Sequence, residues 1–424
     1  QVKEISPYDE VTFSCDSSPE HEIVYVNESR DNNILPEYSN MAMMGVKLRS
    51  LNQVQSFNQM QVWLYNGIDV DRYIEGTKGP SNNLADIIKY ILSSHLDGSG
   101  LGLEISGRLV DEDGLKKSAV FLANNGLRFD GAISDAVNIR DYLSSLAPLF
   151  LCNFVVANGK FSMVPGVPVD SSGTMLTSPV PIAQYFNDST VIEGSYSLEF
   201  LPQTERMQFR AVMKYRKSIK NSLTDVETIM VAWGDESALP SPQEDYDMTA
   251  FCTRESHAFM AARYLLSLRR RVDHTITFQT LPDGLALKPG DYIRYDTIAS
   301  PYMSLYSGVI RADGTLLSVN PPTDGTYFAY LYLVGADDVT EGNLVISGGK
   351  VSDPAYFGAL FNIPDQGTPG EAGSIALRYG VYLVEEISLG EDGLVQIVAS
   401  HFPVNENGVS KIVEDVQNQG LFEV

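Results

Sequence analysis

Residues Ala258–Asp296 read AFMAARYLLSLRRRVDHTITFQTLPDGLALKPGDYIRYD. Ala258, Ala261, Ala262, Leu265, Leu266 and Leu268 recur at helical spacing and give a helix one small, apolar stripe. Arg263, Arg269, Arg270 and Arg271 fall on other faces, and the last three crowd the final turn, where cations favour the helix dipole. Thr275-Ile276-Thr277-Phe278 alternates with period two, as a half-buried strand does. Pro289-Gly290 turns the chain, and Asp291–Tyr295 resumes as strand. Helix, strand, turn and strand follow with no nucleophile, base or ligand set between them, so the segment reads as a building part.

Upstream, Leu84, Ile87, Ile88, Ile91 and Leu92 predict a helix over Leu84–His95, capped by Asn82 or Asn83 and ended by Gly98, Gly100 and Gly102. A second helix is expected over Gly114–Asn124 with Asp113 as cap, and a third over Asn138–Leu149. Asn153–Met163 reads as a hairpin around Asn158-Gly159. Val11–Cys15, Glu22–Val26 and Gln61–Tyr65 read as strands. The Pro-, Gly- and Ser-rich run from Pro165 to Pro181 reads as a linker, and the acidic run Ala238–Tyr246 as a surface loop. Glu199–Lys214 contains alternating stretches, and Thr228–Trp233 is a strand.

Downstream, Gly308–Arg311, Tyr327–Val334 and Asn343–Ile346 are short strands between Asp-Gly and Gly-Gly turns. Val381–Ile387 and Leu394–Ser400 form a hairpin around Gly390–Gly393, and Lys411–Gln419 reads as a short helix leaving the domain. The class is α+β, mainly β and multidomain. The expected units are an N-terminal β domain (1–82), an α+β module (83–165), a β/α domain bearing the Arg-rich helix (166–301), a small β insertion (302–378) and a closing hairpin with an exit segment (379–424).

Composition narrows the function. The 424 residues carry a formal net charge of −24, with 44% hydrophobic and 20% charged residues. That balance supports folded cores and about two to four domains. It argues against an exposed nucleic-acid surface, which needs clustered cations, and it suits a particle component or a pore wall along which DNA slides. Three cysteines without a CxxC pair give neither a disulfide framework nor a zinc motif, and fit reduced, mostly buried thiols. No apolar run reaches membrane-spanning length. The chain begins at Gln1, as a processed product or a fragment of a longer polypeptide would.

Tests for chemistry come back empty. His21, His95, His257, His274 and His401 are scattered, without HxxxH or HxH spacing, and metal binding needs them to converge with carboxylates. The glycine loop at 98–102 follows a helix, whereas phosphate cradles precede one. Asp111-Glu112-Asp113-Gly114 lacks the Glu that closes a calcium loop, since position 122 is Leu. Asp69-Val70-Asp71 is equally weak as an ion site, and no GxSxG elbow occurs. No catalytic, cofactor-binding or metal-ligating residues are therefore assigned. The four arginines are the candidate subunit-contact or charge-pairing residues, with pairing to the abundant carboxylates, within one subunit or across a symmetric contact, as the plainer reading.

In order along the chain, five segments resemble the tail hub proteins of long-tailed bacteriophages, the lambda-type tip attachment family. They are Glu22–Gly67, Asn82–Gly102, Asp111–Pro165 (with FDGAIS and NGKFSMVPG), Ala258–Asp296 with its "PGD" turn, and Tyr379–Pro403. Asn83-Leu84 stands where the family often has Pro-Ala, and Val424 ends the chain where family members often continue. The resemblance implies tail-tube-like β domains in a homotrimer that closes the distal end of the tail tube, organises the tip and opens for DNA. Implied partners are the distal tail protein, the tape-measure protein and other tip or fibre proteins, with DNA only as transiting cargo, and the place is the virion after assembly in the host cytoplasm. Interface elements are expected around Val11–Tyr65 and Thr275–Tyr295. The competing readings are a tail-borne cell-wall hydrolase and a receptor- or carbohydrate-binding module. The latter would use Tyr302, Tyr306, Tyr327, Tyr330 and Tyr332, a stripe that otherwise packs a small sheet.

Overall fold

The computed structural model describes residues 69–93, 107–131, 138–219, 226–235, 242–296, 304–333, 340–364 and 380–423, less 158, 319–320, 391 and 406, together with residues 67, 105, 133 and 222–223 and short paired strands before residue 51. In that N-terminal part Val11–Thr12 pairs in parallel with Val46–Lys47, and His21–Glu22 pairs antiparallel with Arg49–Ser50. The remainder of the expected N-terminal strands, the glycines at 98–102, Tyr302 and Cys15 lie outside the described residues.

A six-stranded sheet organises the centre, in the order Ser197–Phe200, His274–Thr280, Val395–His401, Val381–Leu389, Tyr292–Asp296, Gln184–Asn187. Every pair is antiparallel except the last, which is parallel. The period-two reading of 275–278 extends to His274–Thr280, where residues 274, 276, 278 and 280 are buried and those between are half-buried. One face of this sheet builds its own core from Ile276, Phe278, Ile293, Tyr295, Val395 and Ile397. Phe278 stacks on Tyr295 with centroids 4.9 Å apart and planes 5° from parallel. The fold is mainly β with segregated helices, as the sequence implied.

Helix Glu255–Arg271 lies between this sheet, the α+β module and a second sheet. Ala258, Ala261 and Ala262 are fully buried, so the small stripe lets neighbouring backbones approach closely. The second sheet runs Gln243–Asp247, Arg210–Tyr215, Glu227–Trp233, Phe422–Glu423. Gln243–Asp247 is thus a strand, parallel to Arg210–Tyr215, and not wholly the loop its acidity suggested. Its alternating exposed and half-buried pattern marks an edge strand, where carboxylates reach water on one side.

In the module, the first helix spans Leu84–Ser93. Asn83 caps it, its side-chain oxygen accepting from Ala85 N at 3.0 Å. The second helix begins at Glu112 with Asp111 as N-cap, two residues earlier than expected, so Asp113 sits in the first turn. Asp111 accepts instead from Ser162 Oγ at 2.9 Å, which ties the helix start to the hairpin. The third helix stops at Leu146 and tightens into a 3₁₀ turn over Ala147–Phe150 that contains Pro148. The hairpin pairs Cys152–Ala157 with Lys160–Pro165.

Two expectations fail. Residues 166–169 are no linker: they are buried, and Gly166 N donates to Leu151 O at 2.8 Å. Glycine and proline signalled turns there, and composition does not distinguish a packed turn from an exposed one. One hydrophobic cluster accordingly runs from Leu84 to Phe422, across the boundary expected at 165. Nor does the C-terminal helix leave the domain. Lys411–Gln417 buries Ile412, Val413 and Val416 against helix Glu255–Arg271, and Phe422–Glu423 then pairs with Ala232–Trp233.

The insertion folds as its own antiparallel sheet, ordered Leu316–Leu317, Ser304–Ile310, Leu360–Pro364, Gly325–Tyr332, Thr340–Ser347, Lys350–Val351. It has a separate core of Ile310, Leu331, Leu344, Ile346, Phe361 and Ile363.

Candidate functional site

The arginines of helix Glu255–Arg271 all find partners inside the chain. Arg271 donates from Nε and Nη2 to the two oxygens of Asp415, at 2.9 and 3.0 Å. Arg270 forks onto Asp235 at 3.1 and 2.8 Å and lies over Trp233, 4.4 Å from the ring centre. Arg269 reaches Glu244 at 3.1 Å and covers Phe209 at 4.6 Å. Arg263 donates to Val416 O at 3.0 Å, and burial holds its guanidinium below the usual arginine range. The fork from Arg270 holds the Asp235 carboxyl low, against a small opposing effect of burial. The cluster thus fastens the C-terminal helix and the second sheet to the Arg helix, on guanidiniums whose planar faces also stack on aromatics.

A different cluster was not foreseen. Antiparallel register sets Thr275 opposite Ser400, so the next pair out is His274 and His401. The neighbouring ladders set Phe200 opposite His274 and Tyr382 opposite His401. One row of side chains therefore crosses four strands. The two imidazoles stack with centroids 4.6 Å apart and planes 14° from parallel. Asp273 Oδ1 lies 2.7 Å from His274 Nδ1 and 2.6 Å from His401 Nδ1. His274 Nε2 is 3.2 Å from the Tyr382 hydroxyl.

The expectation that the histidines stay scattered fails for this pair. They stand at matching ends of strands separated by the whole insertion, and only strand register joins them. The available signal was an Asp-His step opening one strand and a Ser-His step closing another. Burial pushes the Asp273 carboxyl up, but the two imidazoles outweigh it and hold it well below the usual carboxylate range. Burial pushes the His401 imidazole down, with Asp273 opposing. His401 also lines a cleft of about 560 Å³ between sheet and Arg helix, alongside Tyr264, Leu268, Arg269 and Ser400.

Other candidates resolve into structure. Asp69–Asp71 is a strand paired with Lys78–Pro80. Tyr330 and Tyr332 are buried, and Tyr306 meets Tyr327 edge-on at 5.9 Å. Tyr332 stacks on Tyr185 of the central sheet, also at 5.9 Å. These tyrosines pack the insertion and its joint with the central sheet. Cys152 and Cys252 are buried and unbridged; burial pushes the Cys252 thiol up to about 11. Among the described residues no helix is long and apolar enough to cross a membrane.

No protein-family model and no curated protein matches the sequence. Among solved structures the chain is similar to part of the virion of a native gene transfer agent particle, at 11% identity and a TM-score of 0.36, over 70% of this chain and 48% of that one. It is also similar to the tail protein from Neisseria meningitidis MC58, at 13% identity and a TM-score of 0.25, over 54% of this chain and 60% of that one. The chain thus spans about half of the first and three fifths of the second. Likenesses this low carry no argument about its activity.

Proposed function

We propose that this chain is a structural component of a phage tail tip, the trimeric hub that closes the distal end of the tail tube. The observation that carries the reading is the placement of the motifs that resemble the hub family. The Arg-helix segment and the closing pair are separated in sequence by an insertion, yet their strands lie side by side in one sheet. The insertion between them has its own sheet and core, as an insertion into a hub domain requires. Among the described residues the outer side of Ser197–Phe200 has no strand partner, and Phe200 is largely exposed. Such an edge is a template for pairing with another chain, which suits ring assembly.

In this reading the work is mechanical. Copies meet around a shared axis, contact the distal tail protein, the tape-measure protein and other tip or fibre proteins, and part to let DNA through. The strongly acidic composition keeps passing DNA from adhering. The test is the mass of the purified chain in solution together with image averaging of isolated tails. A trimer near 140 kDa (about three times 46.6 kDa) and threefold density at the tube end are expected. A chain that stays monomeric at every concentration and is missing from tails sinks the reading.

A further inference from the structure

We propose that Asp273, His274 and His401 form a binding site for one divalent transition-metal ion of the zinc class. The three ligand atoms, one carboxylate oxygen and two imidazole nitrogens, lie within 4.8 Å of one another. Two imidazoles and one carboxylate suit zinc, cobalt or nickel, and an oxygen-seeking ion such as magnesium or calcium much less. Both histidines sit on paired strands of the central sheet, so their backbones are held before any ion arrives.

In the Nδ1–H tautomer each imidazole would donate to Asp273. Binding an ion needs the Nε2–H tautomer, with the Nδ1 lone pair turned to the metal, so a neutral ring would shift its proton and release none. For His274 the hydroxyl of Tyr382 stands at 3.2 Å to accept from Nε2–H, the outer-shell contact that fixes a ligating imidazole. Ligands about 2.0–2.1 Å from a tetrahedral ion stand roughly 3.4 Å apart. The present 2.6 and 2.7 Å contacts therefore open by less than about 1 Å, a side-chain adjustment. Asp273 is partly exposed, which gives the ion an entry and leaves a fourth position for water.

The ion would staple His274–Thr280 to Val395–His401, two strands that lie on either side of the insertion in sequence. This inference is independent of the hub reading, because a tail component and any other protein with this sheet would bind the ion equally.

The test is titration of the full chelator-stripped chain with Zn²⁺ and Co²⁺, followed by calorimetry, elemental analysis and thermal unfolding. One ion per chain, a higher thermal midpoint with Zn²⁺ and a four-coordinate Co²⁺ spectrum are expected. His401→Gln and Asp273→Asn should each weaken binding at least tenfold. His257→Gln, at a buried histidine outside the cluster, should keep one ion per chain at wild-type affinity. The folded wild-type chain taking up no ion overturns the proposal without any variant. So does uptake that persists undiminished in both ligand variants, which would mark ions held by surface carboxylates. Loss in His257→Gln as large as in the ligand variants would mean that the substitutions act through the fold, and would overturn it too.

Discussion

Arg271 holds Asp415 by two parallel hydrogen bonds across 144 residues of sequence. Asp415 is almost wholly buried, and Ser267 Oγ donates to the same carboxylate at 2.7 Å. The pair is therefore the latch between the Arg helix and the C-terminal helix. Removing the arginine leaves a carboxylate in the interior with one neutral donor, at a cost of about 3–5 kcal/mol. Arg271→Ala should lower the urea midpoint accordingly. Arg270→Ala faces an exposed Asp235, and should cost about 1 kcal/mol or less. Equal effects of the two variants would refute the latch.

Stability should also fall in mild acid because of His257. The ring is buried beside Phe150, and its Nε2 is 3.0 Å from Leu149 O. Burial pushes its pKa down to about 4, despite the partly opposing hydrogen bond. The unfolded chain, with an ordinary histidine near 6.5, then binds the proton more readily. The contribution of this group is whole above pH 6.5, declines as pH falls towards 4 and does not decline further below that. The shift corresponds to about 3 kcal/mol. His257→Gln should flatten the stability–pH curve across that window, and an unchanged slope in the variant would rule the group out.

Much of the fold was legible because local pattern and tertiary demand agree. Leu84–Ser93, Glu255–Arg271, His274–Thr280 and the 152–165 hairpin each show their period in a single face of apolar residues. Failures came where one signal has two physical meanings. Proline and glycine at 165–181 mark turns whether packed or exposed, and the acidic residues of Gln243–Asp247 suit an edge strand as well as a loop. The arginines were visible as a run, but their partners Asp235, Glu244 and Asp415 are spread along the chain. The Asp273–His274–His401 cluster was illegible for the same reason. Nothing local to either histidine states that Thr275 will pair with Ser400.

The Lys-Pro-Gly-Asp turn makes Gly290 hard to replace. It adopts φ +96°, and an added Cβ would meet a Val164 methyl at 2.9 Å. Its N–H also donates to Val384 O at 2.8 Å, which ties the turn to the central sheet. Gly290→Ala combines backbone strain with a clash against the module's hairpin, and should cost about 2–3 kcal/mol. Gly393 has φ +78° but open space around it. Its alanine variant should therefore show the backbone part alone, roughly 1 kcal/mol. Reversed ranking in denaturant titrations would contradict this account of the turn.

Among the described residues, a compact group of contacts joins the insertion to the central sheet, Arg294 over the Tyr330 ring at 5.3 Å included, so the joint should be separable. Tyr332 stacks on Tyr185, Leu360 joins them in a small cluster, and Asn187 Nδ2 donates to Gly308 O at 2.9 Å. The insertion's own core lies elsewhere, among Ile310, Leu344 and Phe361. Tyr332→Ala removes the main aromatic contact while leaving that core whole, and truncation of a buried aromatic costs about 3–5 kcal/mol. The loss should fall on docking. Amide exchange in Gln184–Asn187 and Ser304–Ile310 should quicken severalfold, while Thr340–Ser347 on the far side of the insertion keeps its protection. If Thr340–Ser347 loses protection to the same degree, the insertion and the central sheet unfold as one unit and the two cores are not independent.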